Sequence, residues 1–296
     1  MPNNKLLFLL GYASGIAGAE TGSADGPYVM QQSPHLASLT NEGIEPRWCA
    51  MIKTPAQNPI NKLAIVTDQC TQLAQAVIPL VKEKKMFIVI AGDHTSAIGT
   101  WSGVSSAIKE KGSIGLIWID AHMDSNTPET TKTGNLHGMP LACLLGHGDD
   151  SLVKLIHQSP KLKPEHVCLI GVRSYDPGEA DLLNKLNVRV FYMEEIKQRG
   201  LDIIMNEAIQ HVSKNTIGYG VSIDIDSMDP ADAPGTGVRE KGGIAANELC
   251  RALTKMAHDP RLIAAEIAEF DPHRDHDHVT EKWIARLITA ITIGKM

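Results

Sequence analysis

The chain has 296 residues, of which 43% are hydrophobic and 21% charged, the balance of a globular protein and not of a disordered one. Its formal charge is −6 and aromatic residues make up only 4%, which argues against a nucleic-acid partner. No run of 18 apolar residues occurs, so no membrane span is expected.

The first apolar run, residues 6–11, follows a single lysine, Lys5. Its apolar core is too short for the central region of a secretion signal and reads as a buried first strand. Similar runs recur at 87–91, 114–119, 167–172, 188–192, 220–225 and 263–268. Each is short and several are rich in Ile and Val, as parallel strands buried on both faces are. Between them, residues 69–85 place Leu73, Ala76, Val77, Leu80 and Val81 at helical spacing, with Pro79 expected to kink or cap the helix. Residues 280–293 repeat that spacing with Trp283, Ile284, Leu287, Ile288 and Ile291. Alternating strands and helices predict an α/β fold, a three-layer sandwich around a mostly parallel sheet. No linker divides the chain, so residues 1–296 read as one domain. The five cysteines form no Cys-x-x-Cys pair and read as reduced, buried thiols of a cytoplasmic protein.

In such sheets ligands bind beyond the carboxyl ends of the strands. Three predicted strand ends are heavily polar. They read Gly92-Asp93-His94-Thr95, Asp120-Ala121-His122-Met123-Asp124 and Asp224-Ile225-Asp226-Ser227-Met228-Asp229-Pro230. In an extended segment, residues two apart share a face, so Asp120, His122 and Asp124 point together, as do Asp224 and Asp226. Carboxylates this dense repel one another unless a cation neutralises them. Four Asp and two His form a hard, oxygen-rich donor set suited to two divalent ions such as Mn²⁺, Mg²⁺ or Fe²⁺. A carboxylate shared from each cluster would hold them about 3.5–4 Å apart. Any one motif alone is as often a plain loop. A calcium loop is excluded, because the twelfth position from Asp224 is Gly235 and not Glu.

These motifs resemble the ureohydrolase family, manganese enzymes that include arginase, agmatinase, guanidinobutyrase and formimidoylglutamase. The likeness extends through Pro234-Gly235-Thr236-Gly237 and covers nearly the whole chain. It implies an arginase/deacetylase-like sandwich and two Mn²⁺ per chain. One ion would be held by His94, Asp120, Asp124 and Asp224, the other by Asp120, His122, Asp224 and Asp226. A hydroxide bridging the ions would attack the guanidinium carbon. The stretch from Asn126 to Gly138 is similar to the arginase loop and implies L-arginine as substrate, hydrolysed to L-ornithine and urea. By that resemblance Asn126, Thr133 and Asn135 bind the α-carboxylate, Asp176 and Glu179 the α-ammonium, and Glu269 the guanidinium. His137 would carry a proton to the leaving amine, and Asp124 would join the catalytic group. Thr133 replaces a usual Ser, and Asp271 stands where arginases usually have Asn. The family also implies a homo-oligomer, a trimer or hexamer.

Three competing readings remain open. They are a sibling ureohydrolase acting on another guanidino or formimidoyl compound, a single-metal deacetylase-like amidohydrolase, and a regulator that binds without turnover. No His-His dipeptide supports the deacetylase reading. The cluster His273-Arg274-Asp275-His276-Asp277-His278 mixes signs and reads as a solvated loop, with Asp277 or Thr280 capping the last helix.

Overall fold

The structure, a computed structural model, describes residues 5–55 and 61–293. Its strands are β1 (Lys5–Ala13), β2 (Ile44–Lys53), β3 (Phe87–Ala91), β4 (Ile114–Ile119), β5 (Val167–Val172), β6 (Arg189–Tyr192), β7 (Gly218–Asp224) and β8 (Leu262–Ala268). They form one sheet of order β2-β1-β3-β8-β7-β4-β5-β6. Every pairing is parallel, beyond the mostly parallel sheet expected.

Side chains of single strands alternate between two hydrophobic cores. Ile88 and Ile90 of β3 enter one, Phe87 and Val89 the other; in β4, Ile117 and Ile119 oppose Leu116 and Trp118. Helices Leu201–Ser213, Ala246–Ala257 and Val279–Thr292 cover the first core. Helices Lys62–Lys82 and Ser96–Ile108 cover the second. Burying each Ile, Leu or Phe between these layers contributes about 1.5–3 kcal/mol. Close packing sets one composition directly: a Cβ at Gly220 of β7 would lie 2.1 Å from the Trp101 indole.

Strand β2 was not expected from the sequence. It is an edge strand of mixed polarity with Pro46 inside it, and its side chains are mostly half-buried. An edge strand tolerates Pro because one row of its N–H groups has no partner strand. The first long helix starts earlier than predicted, at Lys62, where the Asn61 side chain accepts the Ala64 N–H at 3.1 Å. It runs through Pro79 to Lys82.

The last helix is capped differently from expectation. Asp275 accepts the N–H groups of Thr280 and Glu281 at 3.0 and 3.1 Å. Asp277 and His278 have left-handed backbones (φ 52° and 55°), and the loop thereby carries Asp275 to the helix start. Thr280 instead accepts the Gly235 N–H at 2.8 Å. The cysteine expectation also needs correction, since Cys49 is exposed and Cys250 half-buried. Among the described residues no helix is long and apolar enough to cross a membrane.

Candidate metal centre and active site

The polar strand ends come from the four central strands, β3, β8, β7 and β4, which are neighbours in the sheet. His94 follows β3, Glu269 follows β8, Asp224 ends β7, and Asp120 follows β4. The turn after β3 depends on Gly92, where a Cβ would lie 2.0 Å from the Ser14 carbonyl oxygen. That approach lets Gly92 donate to the Tyr12 carbonyl at 2.8 Å and accept the Glu269 N–H at 2.7 Å. Asp93 is absorbed in the turn, accepting from Ser14 at 3.0 Å and from the Thr95 N–H and hydroxyl.

His94 is buried, and its Nδ1 faces three carboxylates. It lies 3.1 Å from Asp124 Oδ2, 3.1 Å from Asp224 Oδ2 and 3.4 Å from Asp120 Oδ2. The other oxygen of Asp120 faces His122, whose Nδ1 lies 3.5 Å from Asp120 Oδ1 and 3.0 Å from Asp226 Oδ2. Asp120 therefore presents one oxygen to each imidazole. Two groups arise whose donor atoms lie within 4.8 Å of one another: His94, Asp120 and Asp224, and Asp120, His122 and Asp226. Asp224 belongs with the first; its Oδ1 accepts the Asp226 N–H at 2.8 Å.

The electrostatics call for a cation. Burial and the Asp120 charge push Asp124 up to about 7. Burial and the charges of Asp226 and Asp120 push Asp224 well above the carboxylate range. Asp226 is raised as well, chiefly by burial. Burial also works against the Asp120 charge, but hydrogen bonds from His122 and His94 hold this carboxyl well below the usual value. Four buried carboxylates with no Lys or Arg salt bridge to them among the described residues fit divalent ions, and an oxygen-rich set with two imidazoles fits hard or borderline ones.

Three elements of support were missed by sequence reasoning. The Trp118 indole N–H donates to Asp120 Oδ2 at 2.8 Å. Its ring stacks on His94, with centroids 4.2 Å apart and planes inclined by 16°. The His94 Nε2 meets the Ser222 hydroxyl at 2.9 Å, and Ser222 donates to Glu266 at 2.9 Å. Arg173 donates to the carbonyls of Asp226 (2.6 Å) and Glu240 (2.8 Å), tying down the loop after β7. A signal for the first two was available: Trp118 and Ser222 each precede a ligand by two residues on a strand, and Glu266 is a charge inside an apolar run.

Asp124, Asp224 and Asp226 open on a cleft of about 250 Å³, lined also by His122, Asn126, His137, Ser174, Tyr175, Asp176, Glu179, Val238 and Glu269. His137 Nδ1 lies 3.1 Å from Glu269 Oε1. Burial would lower the His137 pKa, but the Glu269 charge and hydrogen bond outweigh it and hold it at about 9. Glu269 also accepts the His94 N–H at 2.9 Å. Asp124 (φ 47°) and Glu269 (φ 65°) are both left-handed, a backbone strain retained where a carboxylate must be aimed.

The remaining predicted residues are spread more widely. Asp176 is bonded by Asn126 Nδ2 at 3.4 Å and Lys132 Nζ at 2.5 Å. Glu179 is buried, and its two oxygens take the N–H groups of Asp176 (2.8 Å) and Ser125 (3.0 Å). Asn135 lines an adjoining cavity of about 200 Å³ that shares His137, Val238 and Glu269 with the cleft and includes Asp271. Thr133 is exposed, and its hydroxyl accepts the Asn135 N–H at 3.2 Å, within its own turn. In the 273–278 loop His273 pairs with Asp25 and His278 with Glu281, each at 2.7 Å.

Comparison with known proteins converges on one family. The arginase family model matches residues 7–294. The chain is 35% identical to the arginase of Brevibacillus brevis over 299 residues, covering 99% of each. It is likewise 35% identical to that of Bacillus subtilis (strain 168), again covering 99% of each. The crystal structure of arginase from Bacillus subtilis superposes with a TM-score of 0.90 at 36% identity, over 99% of both chains. On these matches of sequence and fold, the chain belongs to the arginase family of hydrolases.

Proposed function

We propose that the protein hydrolyses L-arginine to L-ornithine and urea. The observation that carries this reading is Asp120, with one oxygen toward each of two imidazoles, in a cluster whose Asp124, Asp224 and Asp226 line one cleft with His137 and Glu269. His94, Asp120, Asp124 and Asp224 would hold one manganese ion; Asp120, His122, Asp224 and Asp226 would hold the other. When bound, such a pair supplies Lewis acidity and a water-derived nucleophile near neutral pH.

The protein's own groups do the rest. The acidic cleft draws a guanidinium in, and Glu269 fixes its orientation. Asp124, aimed by its left-handed backbone, is placed to accept a hydrogen bond from the attacking water. His137, protonated beside Glu269, gives its proton to the departing δ-nitrogen as the carbon–nitrogen bond breaks. At the far end Asp176 meets the α-ammonium, while Glu179 holds the Asp176 turn in place through its backbone bonds. Asn126 and Asn135 offer amides to the α-carboxylate, joined by Thr133 if its turn folds inward over the substrate.

One observation favours a second reading. Asp271 is buried on the cavity beside Glu269 and adds negative charge there. That favours a sibling guanidino substrate with no carboxylate of its own. Product release from arginine, agmatine and guanidinobutyrate, measured with added Mn²⁺, ranks these readings. The first expects arginine to lead; turnover of agmatine, which has no carboxylate, without arginine turnover would replace it with the second, and guanidinobutyrate turnover alone would overturn both.

A further inference from the structure

Trp118, Ser222 and Glu266 stand side by side in adjacent strands. Trp118 of β4 is the register partner of Ser222 in β7, and Ser222 is the partner of Glu266 in β8. This row lies one step below the metal-facing carboxylates, since Asp120 and Asp224 follow Trp118 and Ser222 by two residues. Glu266 has no exposed surface. Among the described residues no lysine or arginine forms a salt bridge with it. Three hydroxyls converge on it instead: Ser96 (2.7 Å) and Thr100 (2.9 Å) on Oε1, and Ser222 (2.9 Å) on Oε2. Ser96 and Thr100 stand one turn apart at the start of the helix packed on that face.

A carboxylate in a doubly buried strand costs stability, and replacing it with an apolar residue would remove that cost. Its retention calls for a reason. A carboxylate only accepts hydrogen bonds, so Ser222 must spend its single proton on Glu266. The Ser222 oxygen is then left as an acceptor toward His94 Nε2. With a metal ion held at Nδ1, the single His94 proton would then sit on Nε2 and point at that oxygen.

We infer that Glu266 is a positioning residue of the metal centre, fixing through Ser222 the His94 tautomer that can bind a metal ion. This rests on the reading that His94 is a metal ligand. Proton placement sets the polarity of the relay. An amide at position 266 can donate to Ser222 and turn the relay around, so that Ser222 donates to Nε2 and the proton moves to Nδ1.

The test is Mn²⁺ binding isotherms across a set of variants. Glu266→Gln should weaken Mn²⁺ binding by about 10–100-fold, the range for groups that orient ligands. Glu266→Asp should restore most of that loss. In a Ser222→Ala background, Glu266→Gln should add nothing. Wild-type affinity in Glu266→Gln, or an additive double variant, overturns the inference. If Glu266→Gln does not fold, Ser222→Ala decides: wild-type affinity in that variant would also overturn it. Failure of wild type to bind Mn²⁺ would sink the metal reading instead.

Discussion

The two imidazoles of the site are held in opposite ways. His94 is closed in, with Trp118 flat against its face and Ser222 behind its Nε2. His122 has 23% of its side chain exposed, and behind its Nε2 stands only Glu240, 3.8 Å away and itself one-third exposed. The interior of the sheet aims the first ring. The second is aimed chiefly by Asp120 and Asp226, the carboxylates it would share an ion with. A site built this way has a rigid half and a half that takes its geometry from what it binds.

The largest effect should come where the halves meet. Asp120→Ala should lose metal and lower activity by more than about 100-fold, since each oxygen serves one side; metal analysis after dialysis and product assays check both. His137→Asn lies outside both halves and should leave metal content unchanged. It should still cost about 10²–10⁴-fold in turnover, the usual yield of a placed proton donor.

Metal removal should steepen the loss of stability with rising pH. In the metal-free protein Asp93 (about 6), Asp124 (about 7) and His137 (about 9) all sit above their ordinary values. A group raised on folding stabilises below its unfolded pKa and loses that contribution as pH rises through the folded one. Thermal denaturation with chelator should therefore show stability falling from about pH 4 to about pH 9. Added Mn²⁺ should flatten the fall; a chelated protein that gains stability over that range contradicts the electrostatic account.

Two smaller changes sharpen the contrast. Trp118→Phe keeps the stacked ring but deletes the N–H to Asp120 and should weaken metal binding by about 10-fold. Glu240→Gln, at the solvated rim, should change it by less than about threefold, because exposed charge pairs contribute little. Equal losses from both would erase the distinction between the halves.

The candidate ligands were legible in the sequence because chemistry concentrated them. His94, Asp120, His122, Asp124, Asp224 and Asp226 break apolar runs at one end, and that pattern needs no coordinates to notice. The central strands were legible for the same reason, being continuous Ile and Val runs. Strand β2 was not, because an edge strand half in solvent lacks that uniformity. The relay behind His94 was hidden differently. Ser222 and Glu266 are 44 positions apart, and only the β7–β8 register brings them together. Glu179 shows the opposite limit: the family resemblance implied a contact to the α-ammonium, and the structure adds that its oxygens take backbone N–H groups that no spacing argument reveals.

The strand order also constrains how the molecule comes into being. Strand β8 is the last in the chain, yet it lies between β3 and β7 at the centre of the sheet. Until it emerges from the ribosome, β2-β1-β3 and β7-β4-β5-β6 have no ladder joining them. His94 belongs to the first group, and Asp120 and Asp224 to the second. Folding must therefore finish by zipping a late, sequence-distant strand between two waiting flaps, a step expected to be slow and prone to aggregation. The catalytic pocket cannot exist before that closure, so a nascent chain is inert until its final strand arrives.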